Sequence, residues 1–113
     1  MAFDEALAVR IRTVLAKRNV EFEEKNMMGG LCFLVDGKMC IGVVKNKLMA
    51  RIGPDAYDEA LKAEGCTEMD FTGKPMKGFV FVEQPGISGQ RKLEHWIGLC
   101  LSYNPLARPG RKK

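Results

Sequence analysis

Apolar residues near the N-terminus recur as Leu7, Ile11, Val14 and Leu15, the i, i+4, i+7, i+8 spacing that lines one face of a helix. Asp4 stands where a side chain can cap the helix start, and Lys17 and Arg18 suit the negative end of its dipole before Asn19 stops it. The spacing predicts a helix over residues 4–18. Val20 to Lys25 alternates weakly, as a short edge strand would.

From Leu31 to Ile52 the period changes from helical to extended. Asp36-Gly37 is a strong hairpin signal, because a type I′ turn needs positive φ at both central residues, and Lys45-Asn46 is a weaker second turn. With two-residue loops at both turns, the register pairs Leu34 with Met39 and Val44 with Lys47, and it sorts the side chains into two faces. Cys32, Leu34, Met39, Ile41, Val43, Leu48, Ala50 and Ile52 fall on one, which is expected to lie under the helices. Leu31, Phe33, Val35, Cys40, Val44 and Met49 fall on the other, interrupted by Lys38, Lys47 and Arg51. That second face is too apolar to be left bare in water, so Phe33, Cys40, Met49 and Arg51 are expected at an interface.

Gly53-Pro54-Asp55 ends the third strand and opens a helix, with proline at a first-turn position where its missing N–H costs nothing. Tyr57, Ala60 and Leu61 give that helix an inner side, and Gly65 closes it. A short optional strand and then Phe79–Val82 follow. Ser88 is placed to cap a last helix carrying the stripe Leu93, Trp96, Ile97, Cys100 and Leu101. The predicted fold class is α+β in two layers, an antiparallel sheet with helices on one face, in the order α-β-β-β-α-(β)-β-α.

Composition narrows the picture. A chain of 113 residues with 46% hydrophobic and 28% charged residues suits a single globular domain, here expected over residues 1–104. The formal net charge of +4 resides at the end of the chain: Arg108, Arg111, Lys112 and Lys113 account for it, and the remainder is formally neutral. Residues 105–113 are therefore expected to form a basic, flexible tail. No apolar stretch approaches a membrane span and no signal-peptide pattern opens the chain, so a cytoplasmic location with free thiols is expected.

The chemistry-bearing residues form no recognisable catalytic set. The predicted register puts Cys32 and Cys40 on opposite faces, where they can neither bridge nor share a metal, and no Cys-x-x-Cys occurs. Cys100 belongs to an apolar stripe, and Cys66 sits in a predicted loop. Cys40 draws interest because Arg51 is its predicted cross-strand neighbour, and a guanidinium favours thiolate. His95, the only histidine, is expected to point outward. Gly73-Lys74 fails as a phosphate loop, since Glu68 and Pro75 occupy the positions that need glycine and a hydroxyl residue. No metal or cofactor is expected, no small-molecule ligand is identifiable from the residues, and Cys40 and Asp70 remain the only candidates for catalysis.

The segment Met69–Gly78 mixes aromatic, cationic and turn-forming residues. Asp70, Phe71, Thr72, Gly73, Lys74, Pro75, Met76 and Lys77 are its candidate binding residues. With the basic tail, Lys74 and Lys77 also support an alternative in which the chain associates with nucleic acid.

Met28-Gly29-Gly30-Leu31, Asp36-Gly37-Lys38-Met39, Arg51-Ile52-Gly53-Pro54 and the 69–78 segment, in that order and spacing, resemble the TfoX N-terminal domain family over about residues 4–103. The resemblance implies a secretion-chaperone-like two-layer fold. It also implies a link to the TfoX (Sxy) regulators of natural competence, which act with a transcription factor at promoters. It implies no catalytic residues. The expectation is a small regulatory module, not an enzyme, acting through a protein partner or as a homodimer.

Overall fold

The computed structural model describes residues 4–27, 30–70, 75–83 and 86–106. Helix α1 spans Glu5–Lys17 and is followed by strands β1 (Glu23–Met27), β2 (Gly30–Val35), β3 (Lys38–Val44) and β4 (Lys47–Arg51). Helix α2 (Pro54–Ala60), strands β5 (Cys66–Asp70) and β6 (Pro75–Val82), helix α3 (Gln90–Tyr103) and a 3-10 turn at Asn104–Leu106 complete the elements of the described residues. The six strands form one antiparallel sheet in the order β1-β2-β3-β4-β6-β5. The α+β class and the broad order follow the prediction. The weakly alternating stretch after α1 is the edge strand β1, and the optional strand after α2 is β5.

Asp4 caps α1 as its position suggested, its carboxylate accepting from the N–H groups of Ala6 at 2.9 Å and Leu7 at 3.2 Å. Its own N–H donates to the Lys45 carbonyl at 2.7 Å, which ties the helix start to the β3–β4 turn. Asn19, with φ of 59°, ends the helix. At the start of α3 the cap is Gly89, not Ser88, and no side chain bonds the helix start. The indole of Trp96 donates to the Gly86 carbonyl at 3.2 Å, satisfying its N–H inside the core.

The first hairpin departs from the predicted register in one respect that changes the molecule. Asp36 and Gly37 both take positive φ, 59° and 77°, as the turn requires, and Leu34 faces Met39. Beyond that pair the partners shift, so that Phe33 faces Ile41, Cys32 faces Gly42 and Leu31 faces Val43. Cys40 is the extra residue of a β-bulge. A bulge lets two successive residues lean to the same side, and a one-residue shift turns over every side chain of the strand across from it. The second hairpin keeps the predicted register, with Val44 facing Lys47.

The consequence is a correction of the sheet's faces. Leu31, Phe33 and Cys40 lie on the helix side, with Val35 packed against them, in one core with Ile41, Val43, Leu48, Ala50 and Ile52. Cys32 and Met39 lie on the outer side with Met49, bordered by Leu34, Val44, Phe79 and Phe81. The buried residues of all three helices belong to the first core, so the helices cover one face only. On that face α2 packs on β6, α3 on β3 and β4, and α1 on β3 and α3.

Two close approaches hold the end of β4. Gly53 has φ of 90°, and a Cβ there would collide with the ring of Tyr103 from α3. The N–H groups of Ile52 and Gly53 both donate to the Gly78 carbonyl, at 2.8 and 3.0 Å. Gly37 also has positive φ, but open space surrounds it. Gly53→Ala is therefore expected to cost about 2–4 kcal/mol and Gly37→Ala only about 1 kcal/mol, the first combining backbone strain with a steric clash and the second strain alone. Urea denaturation of both variants checks this, and equal losses would show that the Tyr103 contact contributes nothing.

Candidate functional site

The sheet face that carries no helix is the candidate site. Along β6, the period-2 alternation sends Val80 and Val82 into the core and Phe79 and Phe81 outward. The cross-strand pairs Arg51 with Phe79 and Met49 with Phe81 place β4's outward residues beside those rings. The Arg51 guanidinium lies 5.3 Å from the Phe79 ring centre and 6.0 Å from that of Tyr103, and Lys47 Nζ lies 5.2 Å from that of Phe81. Arg51 also donates to the Met39 carbonyl at 3.3 Å, and Lys47 pairs with Glu83 at 3.5 Å. The result is an apolar platform whose cations are laid across its aromatic rings.

Met49 and Arg51 occupy the outer face as the sequence reading placed them; Phe33 and Cys40 do not. Phe33 is fully buried under the helices and stacks at a tilt on Phe22, their ring centres 5.6 Å apart. Cys40 points toward α3, where its thiol and that of Cys100 are hydrogen-bonded partners. Arg51's side chain lies on the other face over Phe79, so the proposed pairing of a Cys40 thiolate with a guanidinium is not formed. The bulge is the cause in both cases. Phe79 and Phe81 are the residues that sequence reasoning missed, although their i, i+2 spacing beside two valines was the available signal.

The 69–78 segment is mostly strand rather than loop. Asp70 ends β5, Pro75, Met76 and Lys77 open β6, and Asp70 faces Pro75 across the hairpin. Proline tolerates that place because it is the first residue of its strand. Phe71, Thr72, Gly73 and Lys74 lie outside the described residues, as does the tail from residue 107 onward.

All four thiols are free and buried. Burial pushes Cys32 and Cys66 up to about 11, and it raises Cys100 well above the ordinary thiol value, with the hydrogen bond to Cys40 adding to the shift. A thiol held protonated in this way is a poor nucleophile and a poor metal ligand. Among the described residues, no three His, Cys, Asp or Glu side chains gather closely enough to hold a metal ion, and no helix is long and apolar enough to cross a membrane. Tyr57 Oη is buried without a hydrogen-bond partner among the described residues, and burial raises its pKa as well.

Comparison with protein families matches residues 14–103 to the model of the TfoX N-terminal domain, a span that runs from within α1 to the last residue of α3. The chain belongs to the TfoX N-terminal domain family. No curated protein and no solved structure matches it. The family span contains all six strands, so the bulged hairpin and the platform of β4 and β6 are part of the TfoX domain itself.

The buried thiols make stability depend on pH in a defined direction. In the unfolded chain a thiol ionises near pH ~8.5, whereas Cys32 and Cys66 in the fold hold their protons to about 11. Raised folded-state values favour the fold fully below the unfolded value, and that contribution is lost as pH climbs toward 11. From pH 8 to pH 10 the unfolding free energy is expected to fall by about 2 kcal/mol for each of these two thiols. Urea titrations at the two pH values measure the loss, and Cys32→Ala should remove part of the slope. A midpoint that does not move over this range would contradict the burial argument.

Proposed function

We propose that this TfoX domain is a small regulatory module that works by protein–protein contact rather than catalysis, with the bare sheet face as its docking surface and a second copy of the chain as the occupant. The observation that carries the reading is the platform itself. Half-buried Phe79, Phe81, Leu34 and Val44 surround the buried Cys32, Met39 and Met49, and no helix of the described chain packs on them. Contiguous apolar surface of this kind marks interaction sites on soluble domains.

A second copy suits the charges at the platform's margins. Lys47 and Arg51 project from β4, while Glu23, facing Leu34 across the β1–β2 ladder, stands on the same side at the opposite edge of the sheet. A two-fold axis lying between the two facing sheets and parallel to the strands sets β4 of one copy over β1 of the other and brings unlike charges together around an apolar centre, the arrangement an isologous interface needs. Membership in the TfoX family supports a regulatory role, competence control at promoters being the activity that the family suggests.

Sedimentation velocity of the full chain tests the reading. A concentration-dependent dimer is expected for the wild type and a monomer for the Phe79→Glu, Phe81→Glu double variant, with unchanged far-UV circular dichroism. A wild-type chain that sediments as a monomer at every concentration removes the second copy as the occupant. A dimer that survives the double substitution places the interface elsewhere.

A further inference from the structure

Helices α2 and α3 lie over different strands, and the space between them is not filled. Two adjoining cavities of about 300 and 370 Å³ open there, and they share Ala63, His95 and Trp96, so they form one continuous groove. Its floor is apolar where the methyl groups of Ala56 and Ala60 from α2, and of Ala63 just after it, face Trp96 and Leu99 of α3. From Arg91 to Leu99 the groove follows nine residues of α3, a length of about 12 Å at the helical rise.

The charge along this groove is unequal. The end beside Gly86 is lined by Arg91, Lys92 and His95 against a single acid, Glu64. At the other end Glu59 and Lys62 balance, and the lining is otherwise alanine, tryptophan, leucine and the shared histidine. Arg91 forms no hydrogen bond or ion pair among the described residues. The first turn of α3 contains no acidic residue, so no carboxylate in that turn offsets the positive end of the helix dipole.

We propose that the α2–α3 groove is a binding site for an amphipathic organic anion, its carboxylate, sulfonate or phosphate held by Arg91 and Lys92 and its apolar body laid over Ala63 and Trp96 toward Leu99. The cavity has the size of small-ligand sites, which combine a mainly apolar lining with a few placed polar groups. A charge-assisted contact from an exposed guanidinium gives orientation, and the alanine floor gives the area from which water is displaced. The site lies on the helix side of the domain, on the far side of the sheet from the Phe79–Phe81 platform, so it is independent of the docking reading.

The chain's single tryptophan lines the groove and reports on it directly. The probe is 8-anilinonaphthalene-1-sulfonate, an aromatic anion whose emission is excited by energy transfer from Trp96. Saturable binding of one equivalent to the full native chain is expected. Arg91→Glu with Lys92→Glu should weaken it by about tenfold or more, and Ala63→Phe, at an exposed position that needs no repacking, should abolish it by filling the groove. Decanoate, about as long as the groove, should displace the probe, while decyltrimethylammonium should not. Binding that both groove variants leave intact, or that the cationic amphiphile displaces equally well, overturns the proposal. So does the absence of saturable binding to the wild-type chain.

Discussion

One unpaired residue in β3 decides how this domain is built. Cys40 has no partner on β2, and because side chains alternate along a strand, that single insertion turns all of β2 over relative to a regular hairpin. It delivers Phe33 and Leu31 to the helices and leaves Cys32 and Leu34 outside. It also lets Cys40 and Ile41 both contribute to the helix-side core, giving α3 a wider surface to pack on. The glycine at position 42 is part of the same arrangement. A Cβ there would run into the Met49 side chain, which lies flat across the outer face.

With the faces set in this way, the chemistry of the molecule moves from its reactive atoms to its surfaces. The thiols are sealed, Cys40, Cys66 and Cys100 in the helix-side core and Cys32 beneath the outer cluster, and burial pushes the pKa of Cys32, Cys66 and Cys100 up. The features available to a partner are shape and charge: aromatic rings under cations on β4 and β6, and a cation-rimmed groove between α2 and α3. Both depend on rigid elements, the first on neighbouring strands of the sheet and the second on two helices seated on it.

The groove has its own origin in the fold. Helix α2 is short and sits on β6, while α3 runs across β3 and β4, and the small residues on α2's flank cannot span the distance between them. A leucine or phenylalanine in place of Ala60 or Ala63 would close the gap that the alanines leave open.

Much of this was legible in the residues. The stripe Leu7, Ile11, Val14 and Leu15 defined α1 with Asp4 as its cap, Asp36-Gly37 and Lys45-Asn46 located both hairpin turns, and the stripe from Leu93 to Cys100 defined α3. These features rest on local periodicity and turn chemistry, which a chain carries in its own neighbours. The family was legible too, in short motifs spread over the domain. What local pattern could not show was the bulge, since Met39, Cys40 and Ile41 are all apolar and an alternating reading fits them in either register. The exposure of Phe79 and Phe81 followed from their pairing with β4, and the groove followed from where two distant helices come to rest on one sheet. Sequence by itself determined the three helices, the strands of the first two hairpins and the turns between them. Tertiary structure alone decided which face each strand presents, because that depends on pairing and packing between segments far apart in the chain.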